Sequence, residues 1–173
     1  RPVLILGNGV HASNALKEVS AVIDALQIPV VTSRSACDVL HAKHPLNVGT
    51  FGIHGTRAAN FAVQNSDFLL SIGARLHPQQ TGNPPSTFAR AAKKVVVDVD
   101  LTELDKFDYL SVPVEEKIHA DAKYFLDNFL PYLRQNELPD FDHWLTQIAD
   151  WIKRYSPSLP ALSKGEEVNP YFF

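Results

Sequence analysis

Four short stretches of the chain hold residue types that bind phosphate and sugar. The first is Gly7-Asn8-Gly9-Val10-His11-Ala12, a G-x-G-x-x-A pattern. Between a strand and a helix this pattern is the dinucleotide fingerprint, because the glycines allow a tight turn and let a pyrophosphate approach the main chain. The same turn with no ligand is the alternative. The second is Gly49 to Asn60, "GTFGIHGTRAAN". Here Gly52, His54, Gly55 and Thr56 precede an alanine-rich run that reads as a helix. Free N–H groups at a helix start seat an anion, and Arg57 and Asn60 could add donors; a surface turn shaped by glycines is the competing reading.

The third stretch is "GARLHPQQTG", residues 73–82. Gly73 turns the chain, Ala74 follows, and Arg75 is suited to a bidentate contact with phosphate. Pairing of Arg75 with a nearby carboxylate is the alternative. The fourth is Asp98-Val99-Asp100, whose alternation predicts two carboxylates on one side of a strand end. They suit ribose hydroxyls, or the capping of a following helical turn. Other groups are weaker. His41 and His44 lack the Cys, Asp or Glu partners of a metal site. Cys37 has no base partner at a recognisable spacing. Neither G-x-S-x-G nor H-E-x-x-H occurs, and no catalytic residue is assigned.

These stretches need elements to position them. "VLIL" (3–6) is continuously apolar, which predicts a strand buried on both faces of a parallel sheet. Ser13 reads as an N-cap for a helix over 14–27, with Leu16, Val19, Ile23 and Leu26 as its apolar stripe. "VVTS" (30–33) follows as a strand, 58–66 as a helix, "DFLLSIG" (67–73) as a strand, 85–92 as a short helix, and "KVVVDVD" (94–100) as a strand. Residues 102–107 read as a helical turn and "VPV" (112–114) as a last strand. A helix over 121–133 carries Tyr124, Phe125, Phe129 and Leu133 on its apolar face, and residues 33–57 read as one long loop. Strands alternating with helices imply βαβ units, right-handed crossovers and an α/β fold with a parallel sheet. Ligands in such sheets bind beyond the carboxyl ends of the strands, where all four stretches fall.

The chain has 173 residues, 45% of them apolar and 20% charged, enough for a packed core and against wholesale disorder. Its net charge of −3 argues against a nucleic-acid binder. No apolar run approaches the roughly 20 residues that cross a bilayer, and the start carries no secretory pattern. A lone cysteine predicts a reducing compartment, the cytoplasm. The absence of methionine and the start at Arg1 predict a piece of a longer protein, or methionines dropped from the sequence. After about residue 134 the character changes. "RQNELPD" reads as a linker, and 141–155 as a separate amphipathic helix with Trp144, Ile148, Trp151 and Ile152 on one side.

Taken in order, "RPVLILGNGV", "HPLNVGTFGIHGTRAANFAVQNSDFLLSIGAR", "FARAAKKVVVDVD" and "HADAKYFLDNFL" resemble the central domain of thiamine-diphosphate-dependent enzymes. The acetolactate (acetohydroxyacid) synthase large subunit is the nearest likeness, and it covers residues 1–133. The resemblance implies a Rossmann-like fold of the kind that binds NAD or FAD in deoxyhypusine-synthase-like proteins, with about six strands and helices on both faces. It implies domains at 1–134 and 135–173. The second would be a linker helix and the start, at "EVNPYFF", of a thiamine-diphosphate-binding domain.

It further implies thiamine diphosphate and Mg2+ in the full-length enzyme, held by flanking N- and C-terminal domains outside this chain. FAD or ADP would sit in this domain, and the whole would be a homodimer or homotetramer acting on 2-keto acids by decarboxylation and carboligation. By match of motif, Gly7 and Gly9 correspond to the first turn. Gly52, His54, Gly55 and Thr56 correspond to the loop along the ribityl and phosphate part of a flavin. Gly73, Ala74 and Arg75 form the third loop, and Asp98 and Asp121 lie near the adenosine. FAD-binding synthases commonly continue Gly-Ala-Arg with Phe-Asp-Asp-Arg, where this chain has Leu76-His77-Pro78-Gln79. The rivals are an independent NAD-dependent dehydrogenase, a deoxyhypusine-synthase-like or sirtuin-like NAD enzyme, and a non-enzymatic nucleotide-binding module. Thr32-Ser33 at the second strand's end, in place of a ribose-binding acid, weighs against the first.

Overall fold

The computed structural model describes residues 1–155. Six parallel strands form one sheet: β1 (Pro2–Leu6), β2 (Val30–Thr32), β3 (Asn47–Thr50), β4 (Phe68–Ile72), β5 (Lys93–Asp98) and β6 (Glu116–His119). Their spatial order is β3-β2-β1-β4-β5-β6. The chain builds outward from β1 to one edge, then crosses back to the other side of β1. The switch point therefore lies between β1 and β4, where such sheets open a crevice at their carboxyl ends.

The apolar runs behave as their composition demands. Val3, Leu4, Ile5 and Leu6 are all fully buried. One face of the sheet packs Val3, Ile5 and Val96 with α3 (Arg57–Asn65) and α5 (Leu101–Tyr109). The other packs Leu4, Leu6 and Val97 with α2 (Leu16–Leu26) and α6 (Ala122–Gln135). Layers on both faces make the α/β doubly wound architecture.

Several elements depart from the sequence reading, each for a local reason. Ser13 caps no helix start. A separate short α1 (Gly9–Ala12) ends there, and the Ser13 hydroxyl donates back to the Gly9 carbonyl at 2.8 Å. The stretch 33–57 is not one loop, because β3 runs through it as an edge strand beside β2. Residues 85–92 form only a 3-10 turn at Pro85–Thr87, and Ala89 takes a left-handed φ of +43° that ends helical geometry. The last strand is not 112–114 but β6, paired through Val96 and Lys117 with β5. In α6, Leu126 and Leu133 are buried while Tyr124 is 67% exposed, so Tyr124 leaves the apolar face and Leu126 joins it.

The helix that reads as separate, α7 (Asp142–Arg154), packs on the sheet's α3 side. Trp144 and Ile148 enter the core there, and Trp144 Nε1 donates to the Pro2 carbonyl at 3.0 Å. Ile152 stays at the margin, 36% exposed. "EVNPYFF" lies outside the described residues. No helix among the described residues is long and apolar enough to cross a membrane.

Candidate nucleotide cleft

The carboxyl ends of β1 and β4 are locked together by glycine. Gly7 N–H donates to the Ile72 carbonyl at 3.0 Å, and Gly9 N–H donates to the Gly73 carbonyl at 3.0 Å. A Cβ on Gly7 would fall 2.1 Å from Ala74 Cα and from the Gly73 oxygen. A Cβ on Gly9 or on Gly73 would fall 2.7 Å from the other's Cα, and Gly73 also needs its φ of +58°. The fingerprint glycines thus serve a backbone-to-backbone seam between two loops. The seam also uses the turn's donors, since Val10 N–H is bonded to the Gly7 carbonyl at 3.1 Å.

Two clefts flank the seam. One, of about 440 Å³, opens over β3, β2, β1 and β4, and Arg34, Ser33, Ser35, His54, Arg75 and His77 line it. Gly73 and Ala74 form its wall at the seam. The other, of about 480 Å³, opens over β5 and β6, with Asp98, Asp100, Glu103 and Asp121 facing Gly9 and Gly73. Gly73 and Arg75 border both. Gly52, Gly55 and Thr56 line neither cleft. Gly55 makes a turn so tight that a Cβ would sit 2.5 Å from the Thr50 oxygen. Thr56 caps α3 by accepting from Ala59 N–H at 3.1 Å. Asn60 is no free donor, because its amide pairs with both the N–H and the carbonyl of Gly52, at 2.8 and 3.0 Å. Arg57 is exposed and lies outside both linings.

The acids of the second cleft have partners within the fold. Asp100 lies past the end of β5, not on it, and caps α5 by accepting from Thr102 N–H at 2.9 Å. Those bonds from Thr102 hold its carboxyl below the usual range. Asp98 accepts from Asp100 N–H at 3.0 Å. Asp121 caps α6 through Lys123 and Tyr124 N–H. Glu103 takes Arg75 Nε at 2.6 Å and also the Lys106 ammonium, which reaches the Arg75 carbonyl as well. Burial pushes the Glu103 carboxyl up, yet the bonds from Lys106 and Arg75 prevail and hold it low. These contacts pin Arg75 and the buried Leu76, both at left-handed φ, of +59° and +48°.

The loop that departs from the FAD-type pattern has its own local logic. His77 caps α4 (Pro78–Thr81), and Gln80 returns a bond to the His77 N–H at 2.8 Å, a capping box with Pro at the first helical position. Sequence reasoning missed Ser33, Arg34 and Ser35. The signal is present in "TSRS" directly after an apolar strand, at the place where a Rossmann NAD site carries its ribose-binding acid.

Residues 1–129 match the family described as thiamine pyrophosphate enzyme, central domain. Among similar proteins, a probable acetolactate synthase large subunit of Methanocaldococcus jannaschii is 35% identical, over 92% of this chain and 26% of its own length. The acetolactate synthase large subunit of Corynebacterium glutamicum is 33% identical, over 92% and 24%. That of Lactococcus lactis is 31% identical, over 100% and 26%. The chain spans about a quarter of the length of the curated relatives it matches.

Proposed function

The chain belongs to the thiamine pyrophosphate enzyme central-domain family, and on that premise we propose that it is the nucleotide-binding-type middle domain of an acetolactate-synthase-like enzyme. The whole protein would decarboxylate a 2-keto acid and join the acyl unit to an acceptor. Thiamine diphosphate, with Mg2+, would supply the carbanion-stabilising chemistry from the flanking domains. The protein would act in the cytoplasm as a homodimer or homotetramer. Residues 1–134 would be the middle domain. The stretch 135–173 would lead into the next domain, with α7 folded back on the sheet as a brace.

The share of this domain is scaffold and ligand rim. Its residues suit an extended adenine nucleotide such as FAD or ADP. The supporting observation is the pair of clefts that meet at Gly73 and Arg75. Carboxylates on one side suit ribose hydroxyls, and cationic and hydroxyl groups on the other suit phosphate. Asp98 and Asp121 would hold the sugar, Gly9 and Gly73 would border the middle, and Arg75, His54 and Ala74 would face the phosphates or ribityl chain. Gly7, Gly52, Gly55 and Thr56 would shape the loops without touching the ligand. A bound nucleotide would supply a bridge across the rim rather than bond-making chemistry.

The test is carbon dioxide release from pyruvate by the full-length protein, which should require thiamine diphosphate, together with calorimetry of this chain against ADP, FAD and NADH. Activity that needs NAD and no thiamine diphosphate, with micromolar NADH binding, would return the dehydrogenase reading.

A further inference from the structure

The two clefts differ in what their charges are doing. In the β5–β6 cleft every carboxylate meets an N–H, a hydroxyl or an ion-pair partner within the fold. In the β2–β4 cleft the basic groups are less committed. Arg34 has no ion-pair partner among the described residues. None of the described residues lining that cleft is acidic, in a chain whose net charge is −3. His77 accepts Gln79 N–H on Nδ1, so its neutral ring carries the proton on Nε2 as a donor. The Ser33 and Ser35 hydroxyls lie 3.2 Å apart, and Asn8, Gln79 and Gln80 complete a polar wall.

An acid-free cleft that gathers guanidinium, imidazole and hydroxyl donors is chemically a phosphate site. It is poorly made for a flat neutral ring, since Phe51 and Ile53 are its only large apolar side chains among the described residues. Its far end, at Ser33 to Ser35 after β2, lies about three interstrand steps, roughly 14 Å, from Asp98 at the end of β5. We propose that it is a terminal-phosphate site, so that the rim takes a nucleoside triphosphate with its sugar toward Asp98 and Asp121 and its last phosphate against Arg34, Ser33 and Ser35. This rests on the nucleotide rim proposed above and names its ligand class. Phosphate contact here is non-covalent, and no bond in the ligand breaks.

The experiment is calorimetric titration of the full chain with ATP, ADP, FAD and tripolyphosphate, for wild type, Arg34→Gln, Asp98→Asn and Lys43→Gln. Lys43 is exposed, lies outside both clefts and matches the charge change. The expected result is ATP binding tighter than ADP. Arg34→Gln should lower ATP affinity about tenfold, to the level of ADP, and leave ADP unchanged. Lys43→Gln should change neither. Tripolyphosphate should bind in an Arg34-dependent way, and more weakly as salt rises. Equal ATP and ADP affinity, FAD binding that outranks ATP, or indifference of ATP to Arg34→Gln would overturn the proposal while leaving a nucleotide rim standing. If tripolyphosphate binds through Arg34 but no nucleotide responds to Asp98→Asn, the phosphate site survives and the nucleotide reading fails. If no compound binds, both fail.

Discussion

The two clefts share a wall at Gly73 and Arg75 but are built on opposite principles. On the β5–β6 side the acids hold the fold together as caps and ion pairs. On the β2–β4 side Arg75 and His77 are engaged within the fold, but Arg34 and the Ser33 and Ser35 hydroxyls serve no ion pair or helix cap among the described residues. Formal charge alone does not separate a site from a scaffold, because both clefts are rich in ionisable groups. Occupancy within the fold separates them. A carboxylate that already accepts backbone N–H groups is a structural part first, whereas an unpaired guanidinium among hydroxyls is available to a ligand. The glycine seam keeps the two environments apart and sets their distance.

Breaking the seam should have the largest effect. Gly7→Ala puts a methyl group 2.1 Å from backbone atoms of Gly73 and Ala74, which cannot swing aside as a side-chain end could. We expect about 3 kcal/mol or more of lost stability, read as a lower denaturation midpoint, with ligand binding lost on both sides. Gly82→Ala separates the two costs, since nothing lies within 4 Å of its added Cβ and its penalty is the backbone strain of its φ of +84° alone. A near-neutral Gly7→Ala would mean that the loops are not packed as described.

The seam also marks how far the sequence could be read. The four inner strands and their order of appearance follow from continuous apolar runs such as "VLIL" and "KVVV", because a strand covered on both faces admits little else. The two edge strands were missed or misplaced. β3 (Asn47–Thr50) and β6 (Glu116–His119) are only partly covered, so they carry Asn, Gly, Glu, Lys and His and lack a readable period. The glycines at the strand ends were legible as special. Their purpose was not, because Gly7 and Gly9 meet Gly73 and Ala74 across more than sixty residues of chain. Arg75 and Asp100 each have two readings in the sequence; for Arg75 a distant partner, Glu103, decides between them, and for Asp100 a local one, Thr102 two residues on. The place of Asp121 near an adenosine comes from the resemblance alone, and its cap on α6 comes from the fold.

A smaller perturbation tests the committed side of the comparison. Glu103→Gln removes the anion that joins Arg75 to Lys106, at a side chain only 15% exposed. The expected loss is about 1–3 kcal/mol, with the Arg75–Leu76 turn loosened. Its folded-state carboxyl is held below the ordinary 4.5. Its stabilisation is therefore complete above pH 4.5 and is lost as pH falls through the lowered value. Denaturation midpoints taken from pH 7 downward should show an acid limb that is shallower in Glu103→Gln. An identical limb in both proteins would remove Glu103 from the account.

Removing a cap should cost less. Asp121→Ala strips the acceptor for Lys123 and Tyr124 N–H at the start of α6, worth about 1 kcal/mol. Asp121→Asn should keep most of that stability, because an amide oxygen still accepts. Nucleotide affinity would then report on the carboxylate itself. If Asn restores stability but weakens ADP binding, Asp121 both caps and binds. If Asn restores both, it only caps.

The smallest expected effect on stability is the sharpest test of the contrast. Arg34 is exposed and has no ion-pair partner among the described residues, so its charge is not part of what holds β2 or the turn after it. Arg34→Gln should shift the unfolding free energy by less than about 0.5 kcal/mol, as surface changes away from structural features do. A change of that size beside the loss expected for Glu103→Gln would put numbers on the difference between an available and a committed charge. Two arginines stand at the same rim, one pinned by a half-buried carboxylate and one not. If the unpaired one proved as costly to remove as the partner of the pinned one, availability within the fold would no longer distinguish the ligand side of this rim from its scaffold side.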